Sequence, residues 1–185
     1  MLVPMMQDTF HTLDDETLGW VCIEPTHRLM LQNGPANNAQ LVAQLTQGQH
    51  ALLLFQVLHQ HAGTEVDEFY GWMTYLLTEP QKWAGIAGAL RWFGDEAMLQ
   101  LLNEVVQRLG TPDAVERCVG APKNLEEDAQ LSAAVSRLYA RYREIIPATL
   151  LRVSTYIRTN PQEFVHFEDD DLLSDEYAGR HYATS

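Results

Sequence analysis

The stretch GDEAMLQLLNEVVQRLG constrains the fold of this 185-residue chain more than any other feature. Its apolar side chains recur at intervals of three and four residues, at Met98, Leu101, Leu102, Val105 and Leu109. That spacing places them on one face of an α-helix. Acids at the start of the stretch, an arginine near its end and a final glycine are typical helix start and stop signals. The stretch therefore predicts an amphipathic helix with one face in a core.

A longer helix is predicted from residue 125 to about residue 160. Its apolar stripe consists of Leu131, Val135, Leu138, Tyr142, Ile145, Leu150, Val153 and Ile157. Because proline removes one bond of the helical ladder, we expect Pro147 to kink or divide this helix. Further helices are predicted at about 14–31, 39–62, 64–78 and 79–93, with a turn at 32–38. No alternating strand pattern is found.

These elements predict an all-α, single-domain helical bundle of about six to eight helices. A chain of this length can bury a substantial core, and 46% hydrophobic residues favour a globular fold over disorder. We expect the domain to cover residues 1–167, followed by a partly docked acidic extension at 168–185. No apolar run is long enough to span a membrane, no signal peptide is recognised, and Cys22 and Cys118 lack metal-binding spacing. A cytoplasmic protein is expected.

The net charge of −13 is concentrated towards the two ends of the chain. Residues 1–81 carry nine acids and one base, residues 82–160 nine acids and ten bases, and residues 161–185 seven acids and one base. A surface of this sign repels nucleic acids and membrane head groups, since both are polyanions. We therefore expect a basic protein partner, and no direct binding to nucleic acid or to membranes.

Many of the acids stand at predicted helix starts, where the helix dipole favours an exposed negative charge by about 0.3–1 kcal/mol. Capping explains this placement, but it does not explain why the chain contains only two lysines, Lys82 and Lys123. We therefore predict a partner-binding acidic surface. Its candidate residues are Asp14, Asp15, Glu16, Glu65, Asp67, Glu68, Glu168, Asp169, Asp170, Asp171, Asp175 and Glu176.

The densest acidic stretch is VHFEDDDLLSDEY, residues 165–177. Its spacing lacks the glycine and the final glutamate of an EF-hand loop, so it does not predict a calcium site. Phe164, Val165 and Phe167 predict a segment docked on the core. An alternative prediction is that the carboxylates of residues 169–171 fold back on an arginine face of the long helix, formed by Arg137, Arg141 and Arg152.

Motifs for metals, cofactors and catalysis are not recognised. His59 and His61 are two residues apart and point in different directions on a helix, so they do not predict a zinc site. We predict no bound metal and no cofactor, and we assign no catalytic residue. Two alternatives stay open: a small-molecule-binding or enzymatic domain, and an immunity or antitoxin-like protein for a basic toxin. The first alternative places an aromatic pocket near Trp72, Tyr75, Trp83 and Trp92.

Two segments carry a family resemblance. The segment LYARYREIIPATLLRVSTYIRTNPQEFV, residues 138–165, ends in a YI-x-x-N-P-x-x-F pattern. The residues of that pattern are Tyr156, Ile157, Asn160, Pro161 and Phe164. The segment ALRWFGDEAMLQLLNEVV, residues 89–106, is similar to a central helix–turn–helix. Over residues 45–167 the chain resembles the DNA-mimic-protein-like domain family.

The resemblance implies an all-α fold that is often dimeric and has no known catalysis. In that family, an acidic member occupies the DNA-binding surface of a transcription repressor. A further family segment, E-V-x-N-G-G-F-x-Q, corresponds here to TEVDEFYGWMTYLL, which keeps Glu65, Val66 and Phe69 but lacks the Asn-Gly-Gly and the glutamine. The leading hypothesis is a non-enzymatic acidic interaction protein, in its sharpest form a DNA mimic, with a homodimer left open.

Overall fold

Eight α-helices make up most of the computed structural model, which describes residues 1–110 and 125–168. The helices are α1 (Gln7–Thr12), α2 (Asp15–Gln32), α3 (Pro35–Ala43), α4 (Gln47–Ala62), α5 (Val66–Leu77), α6 (Pro80–Trp92), α7 (Glu96–Leu109) and α8 (Ala129–Thr159). Short 3-10 turns cover Leu125–Glu127 and Pro161–Glu163. The all-α, single-domain prediction is confirmed.

The apolar face predicted for α7 is confirmed. Met98, Leu101, Leu102, Val105 and Leu109 are all buried. Removing a side chain of this size from water contributes about 1.5–3 kcal/mol. This face packs against α8, which also contacts α2 and α5, while α4 packs against α2, α5 and α6. The core therefore lies around the two long central helices, α4 and α8.

The structure corrects the expectation of no strands. Strand β1 (Val3–Met5) pairs in parallel with β2 (Val165–Phe167), so that Val3 lies opposite Val165. Strands of three residues are too short to show a recognisable alternation, and their pairing joins the two ends of the described chain. Phe164 is fully buried and Val165 nearly so, which confirms that this segment is docked on the core.

The prediction of one helix at 39–62 is wrong, because the structure has two helices here, α3 and α4, with a break between them at residues 44–46. Thr46 ends the connection and caps α4: its hydroxyl accepts from the backbone N–H of Gln49, and the Gln49 side chain accepts from the Thr46 N–H. This reciprocal pair is a capping box, which fixes a new helix start. Pro35 begins α3, so the predicted turn at 32–38 is also too long.

Pro147 does not divide the long helix, because α8 continues without interruption through it. Proline lacks the N–H that would otherwise bond to the carbonyl of Arg143, one turn earlier. Pro147 is exposed, so water can reach this part of the helix. None of the helices in the described ranges has the length and apolarity needed to cross a membrane.

Candidate interaction surface

Asp14 acts as the N-cap of α2. One carboxylate oxygen accepts from the Thr17 backbone N–H at 2.9 Å, and the other accepts from the Thr17 hydroxyl at 2.7 Å. Both bonds favour the ionised carboxylate, and they hold the pKa of Asp14 below its usual value. The charged side chain of Asp14 therefore stabilises the N-terminus of α2.

Asp15 joins the start of α2 to the end of α8. Its Oδ1 accepts from the Ser154 hydroxyl at 2.6 Å and from Arg158 Nη1 at 2.7 Å. Arg158 also donates to the carbonyl of Leu13, at 2.8 Å. The Ser154 hydroxyl, and next to it the arginine, lower the pKa of Asp15. Asp15 is thus paired within the molecule.

Glu16 takes part in a chain of polar contacts with His59 and Tyr142. Glu16 Oε1 lies 3.3 Å from His59 Nε2, and His59 Nδ1 lies 3.0 Å from the Tyr142 hydroxyl. Since an ionised carboxylate only accepts, a neutral His59 carries its proton on Nε2 and accepts from Tyr142 at Nδ1. Burial raises the pKa of Tyr142, which keeps the phenol protonated. With both nitrogens bonded, the ring is suited to linking α2, α4 and α8.

The acids at the start of α5 are arranged differently. Glu65, Asp67 and Glu68 are exposed, and no base of the described residues lies within ion-pair distance of them. Glu65 occupies the N-cap position, and its side chain makes no capping hydrogen bond. These three carboxylates therefore have no pairing base within the described residues.

The remaining candidate acids belong to the C-terminal stretch. Glu168 is exposed, and its backbone N–H donates to the carbonyl of Met5 at 3.2 Å. The other five lie outside the described residues: Asp169, Asp170, Asp171, Asp175 and Glu176. So does the contact predicted between residues 169–171 and the arginine face of α8.

A hollow of about 450 Å³ lies beside the acids of α5. Its lining includes Glu68, Trp72, His61 and Gln60. The Trp72 indole stacks on the His61 ring with 4.2 Å between centroids, and its buried N–H has no partner among the described residues. We call this the Trp72 hollow. It places a carboxylate and an aromatic face side by side on the surface.

The structure brings only part of the predicted aromatic pocket together. Trp72 contacts Tyr75, with ring centroids 5.1 Å apart, and Lys82 bonds to the Tyr75 hydroxyl and lies over its ring. This bond raises the pKa of Lys82. Trp92 lines a different hollow between α4 and α6, while Trp83 is half-buried against the core.

A second cavity, of about 470 Å³, adjoins the Trp72 hollow and shares Gln60 with it. We call it the α2–α4–α8 groove. Its apolar lining includes Trp20, Ile146 and Leu150, and its polar lining includes Glu16, Gln56, His59 and Arg143. The sequence did not predict this site, because its residues come from three separate segments and form no local motif.

The described residues contain no cluster of three or more histidine, cysteine or acidic side chains placed to hold a metal ion. The resemblance to the DNA-mimic-protein-like domain family stays a prediction from the sequence. Comparison with protein-family models, with curated proteins and with solved structures finds no match for the chain.

Proposed function

We propose that this chain is a non-enzymatic interaction protein that binds a basic protein partner through the start of α5 and the Trp72 hollow. One observation carries the proposal: three exposed carboxylates without a basic neighbour among the described residues stand beside the half-buried indole of Trp72. Uncompensated charge next to an aromatic surface favours a cationic binding partner.

The contact chemistry follows from the spacing on α5. Glu68 and Trp72 are four residues apart, so they lie on the same side of the helix and line the same hollow. An arginine of the partner can donate to the Glu68 carboxylate while its guanidinium packs against the part of the indole that lines the hollow. Lys82 already makes an equivalent contact with Tyr75 within the chain. The net charge of −13 would accelerate the encounter at low salt.

DNA mimicry is the stricter form of this proposal. In this form, the rigid start of α5 holds carboxylates where a transcription factor's lysines and arginines would otherwise meet phosphates. An immunity-type interaction with a basic toxin would use the same surface. A duplex DNA competitor tests the stricter form, because it should displace the chain from a partner whose DNA-binding surface the chain occupies.

A capture experiment with paired variants tests the proposal. The chain and its variants are immobilised, incubated with lysate of the native host at low and at high salt, and the bound proteins are identified by mass spectrometry. The test variant removes three charges from α5, through Glu65→Gln, Asp67→Asn and Glu68→Gln. The control variant removes three exposed charges elsewhere, through Glu96→Gln, Glu127→Gln and Glu144→Gln.

The expected result is a basic protein retained by the native chain and by the control at low salt, released at high salt, and lost with the α5 variant. Equal capture by both variants would show that only the net charge matters. Failure of the native chain to retain any basic protein would overturn the proposal.

A further inference from the structure

The α2–α4–α8 groove has features that the proposed partner binding does not use. Its volume, about 470 Å³, is in the range of small-molecule sites. Trp20, Ile146 and Leu150 form an apolar part of the lining, and Glu16 and Arg143 bring opposite charges to the same cavity. A site with one apolar wall and two opposite charges selects for a ligand with the matching arrangement.

The two charged side chains are held by the same end of α4. Glu16 Oε1 lies 3.3 Å from the ring of His59, and Arg143 Nη1 donates to the carbonyl of Gly63 at 3.1 Å. Gly63 is the residue that follows α4, one turn after His59. Each group keeps spare bonding capacity, since a carboxylate has a second oxygen and a guanidinium has further N–H donors.

The groove also contains a buried hydrogen-bonding group that has no partner among the described residues. Gln56 is 3% exposed, and its amide nitrogen has no partner among the described residues. The terminal torsion of glutamine is soft, so this amide can turn towards the groove. Pro147, which lines the same groove, withdraws the helical donor from the carbonyl of Arg143. The groove thus contains one buried donor, the Gln56 amide nitrogen, that has no partner among the described residues.

We propose that the α2–α4–α8 groove binds a small zwitterion of the α-amino-acid type with an apolar side chain. Arg143 and the Gln56 amide receive the carboxylate of the ligand. Glu16 receives its ammonium group. The apolar side chain packs against Trp20, Ile146 and Leu150.

Isothermal titration calorimetry with defined probes tests this inference. The probes are L-leucine and L-phenylalanine, together with N-acetyl-leucine, which lacks the ammonium group, and leucinamide, which lacks the carboxylate. We expect both free amino acids to bind, and each blocked derivative to bind at least about tenfold more weakly, the equivalent of losing one strong polar contact.

Variants assign the two charges. Glu16→Gln is expected to weaken binding of the free amino acids about tenfold while leaving N-acetyl-leucine unchanged, and Arg143→Gln to do the same with leucinamide unchanged. Glu144→Gln and Arg152→Gln remove equal charges from exposed positions of α8 outside the lining of the groove, and they should bind like the native chain. Far-ultraviolet circular dichroism confirms that each variant is folded.

The inference would be overturned if neither L-leucine nor L-phenylalanine binds. It would also be overturned if the blocked derivatives bind as tightly as the free amino acids. The inference is independent of the proposed function. Native amino-acid binding by the α5 variant, with its partner binding lost, would separate the two sites.

Discussion

Acidic residues begin both α2 and α5, but the two helix starts use them in different ways. At α2 all three carboxylates contact other groups of the chain, namely Asp14, Asp15 and Glu16. At α5 the three carboxylates are exposed and have no basic partner among the described residues, namely Glu65, Asp67 and Glu68. The same sequence pattern therefore stabilises the fold at α2, while at α5 it leaves three carboxylates without a pairing base among the described residues.

The difference comes from what packs beside each helix start. Ser154 and Arg158 of α8 lie next to the first turn of α2, whereas the acidic side chains at the start of α5 face solvent. Asp95, at the start of α7, extends the comparison to full burial, since it is only 2% exposed. The three sites form a series in which the energetic role of a helix-start acid increases with the partners it contacts.

The largest effect is expected at Asp95. Its side chain accepts from the Met98 N–H at 3.0 Å and from the buried Thr149 hydroxyl at 2.5 Å. Asp95→Ala removes the cap of α7 and leaves the Thr149 hydroxyl without an acceptor. We expect the free energy of unfolding, measured by urea denaturation, to fall by about 2–4 kcal/mol.

Thr149→Val serves as the control for this prediction. It removes the hydroxyl but keeps the cap, so a smaller loss of about 1–2 kcal/mol is expected. A loss in unfolding free energy below about 0.5 kcal/mol for Asp95→Ala would be no larger than that of an ordinary surface substitution. The proposed increase in stabilisation from exposed to buried acids would then be wrong.

An intermediate effect is expected at Asp15. Asp15→Ala removes the nearer of two acceptors of the buried Ser154 hydroxyl, which also lies 3.0 Å from the Leu151 carbonyl, and it removes the ion-pair partner of Arg158. Because the carboxylate is about one-third exposed, we expect a loss of about 1–2 kcal/mol in unfolding free energy rather than the larger value of a buried pair. Asp8→Ala, at an exposed position of α1, should change stability by less than about 0.5 kcal/mol.

The same contact predicts a pH dependence. Because the pKa of Asp15 is lowered in the folded chain, its stabilisation is fully present above the pKa of an unfolded aspartate, about 3.9. It is lost as the pH falls from there through the lowered folded value. The stability difference between the native chain and Asp15→Asn should therefore be constant near neutral pH and shrink below about pH 4. A difference that persists to pH 2 would contradict the role of the ionised carboxylate.

Helices with strong local periodicity were predictable from the sequence. The apolar spacing that predicted α7 is repeated in its buried face, because residues three and four apart lie on the same side of a helix. In α8 five of the eight predicted positions are buried, whereas Leu131, Ile145 and Leu150 are only partly buried. The break between α3 and α4 depends on Thr46 and Gln49, a local capping pattern that the sequence contains. The pairing of β1 with β2 could not be predicted, because it joins residues more than 150 positions apart.

The candidate surface was predictable as a set of acids, but the use of each acid was not. Asp15 meets Ser154, 139 positions later, and His59 meets Tyr142, 83 positions later. Such contacts depend on how helices pack, which no local spacing encodes. The periodicity of α8 marked Tyr142 as a core residue, and it gave no signal of the hydroxyl that bonds to His59.

The smallest effect on stability is expected at the start of α5, where the comparison with α2 is sharpest. Glu68→Gln removes a charge that has no basic neighbour among the described residues, and only its interaction with the helix dipole is lost. We expect the unfolding free energy to change by at most about 0.5 kcal/mol, a smaller loss than for Asp15→Asn measured in the same way. An equal loss would mean that Glu68 has a partner within the chain. The carboxylates of α5 would then stabilise the fold as those of α2 do, and the main support for external binding would be removed.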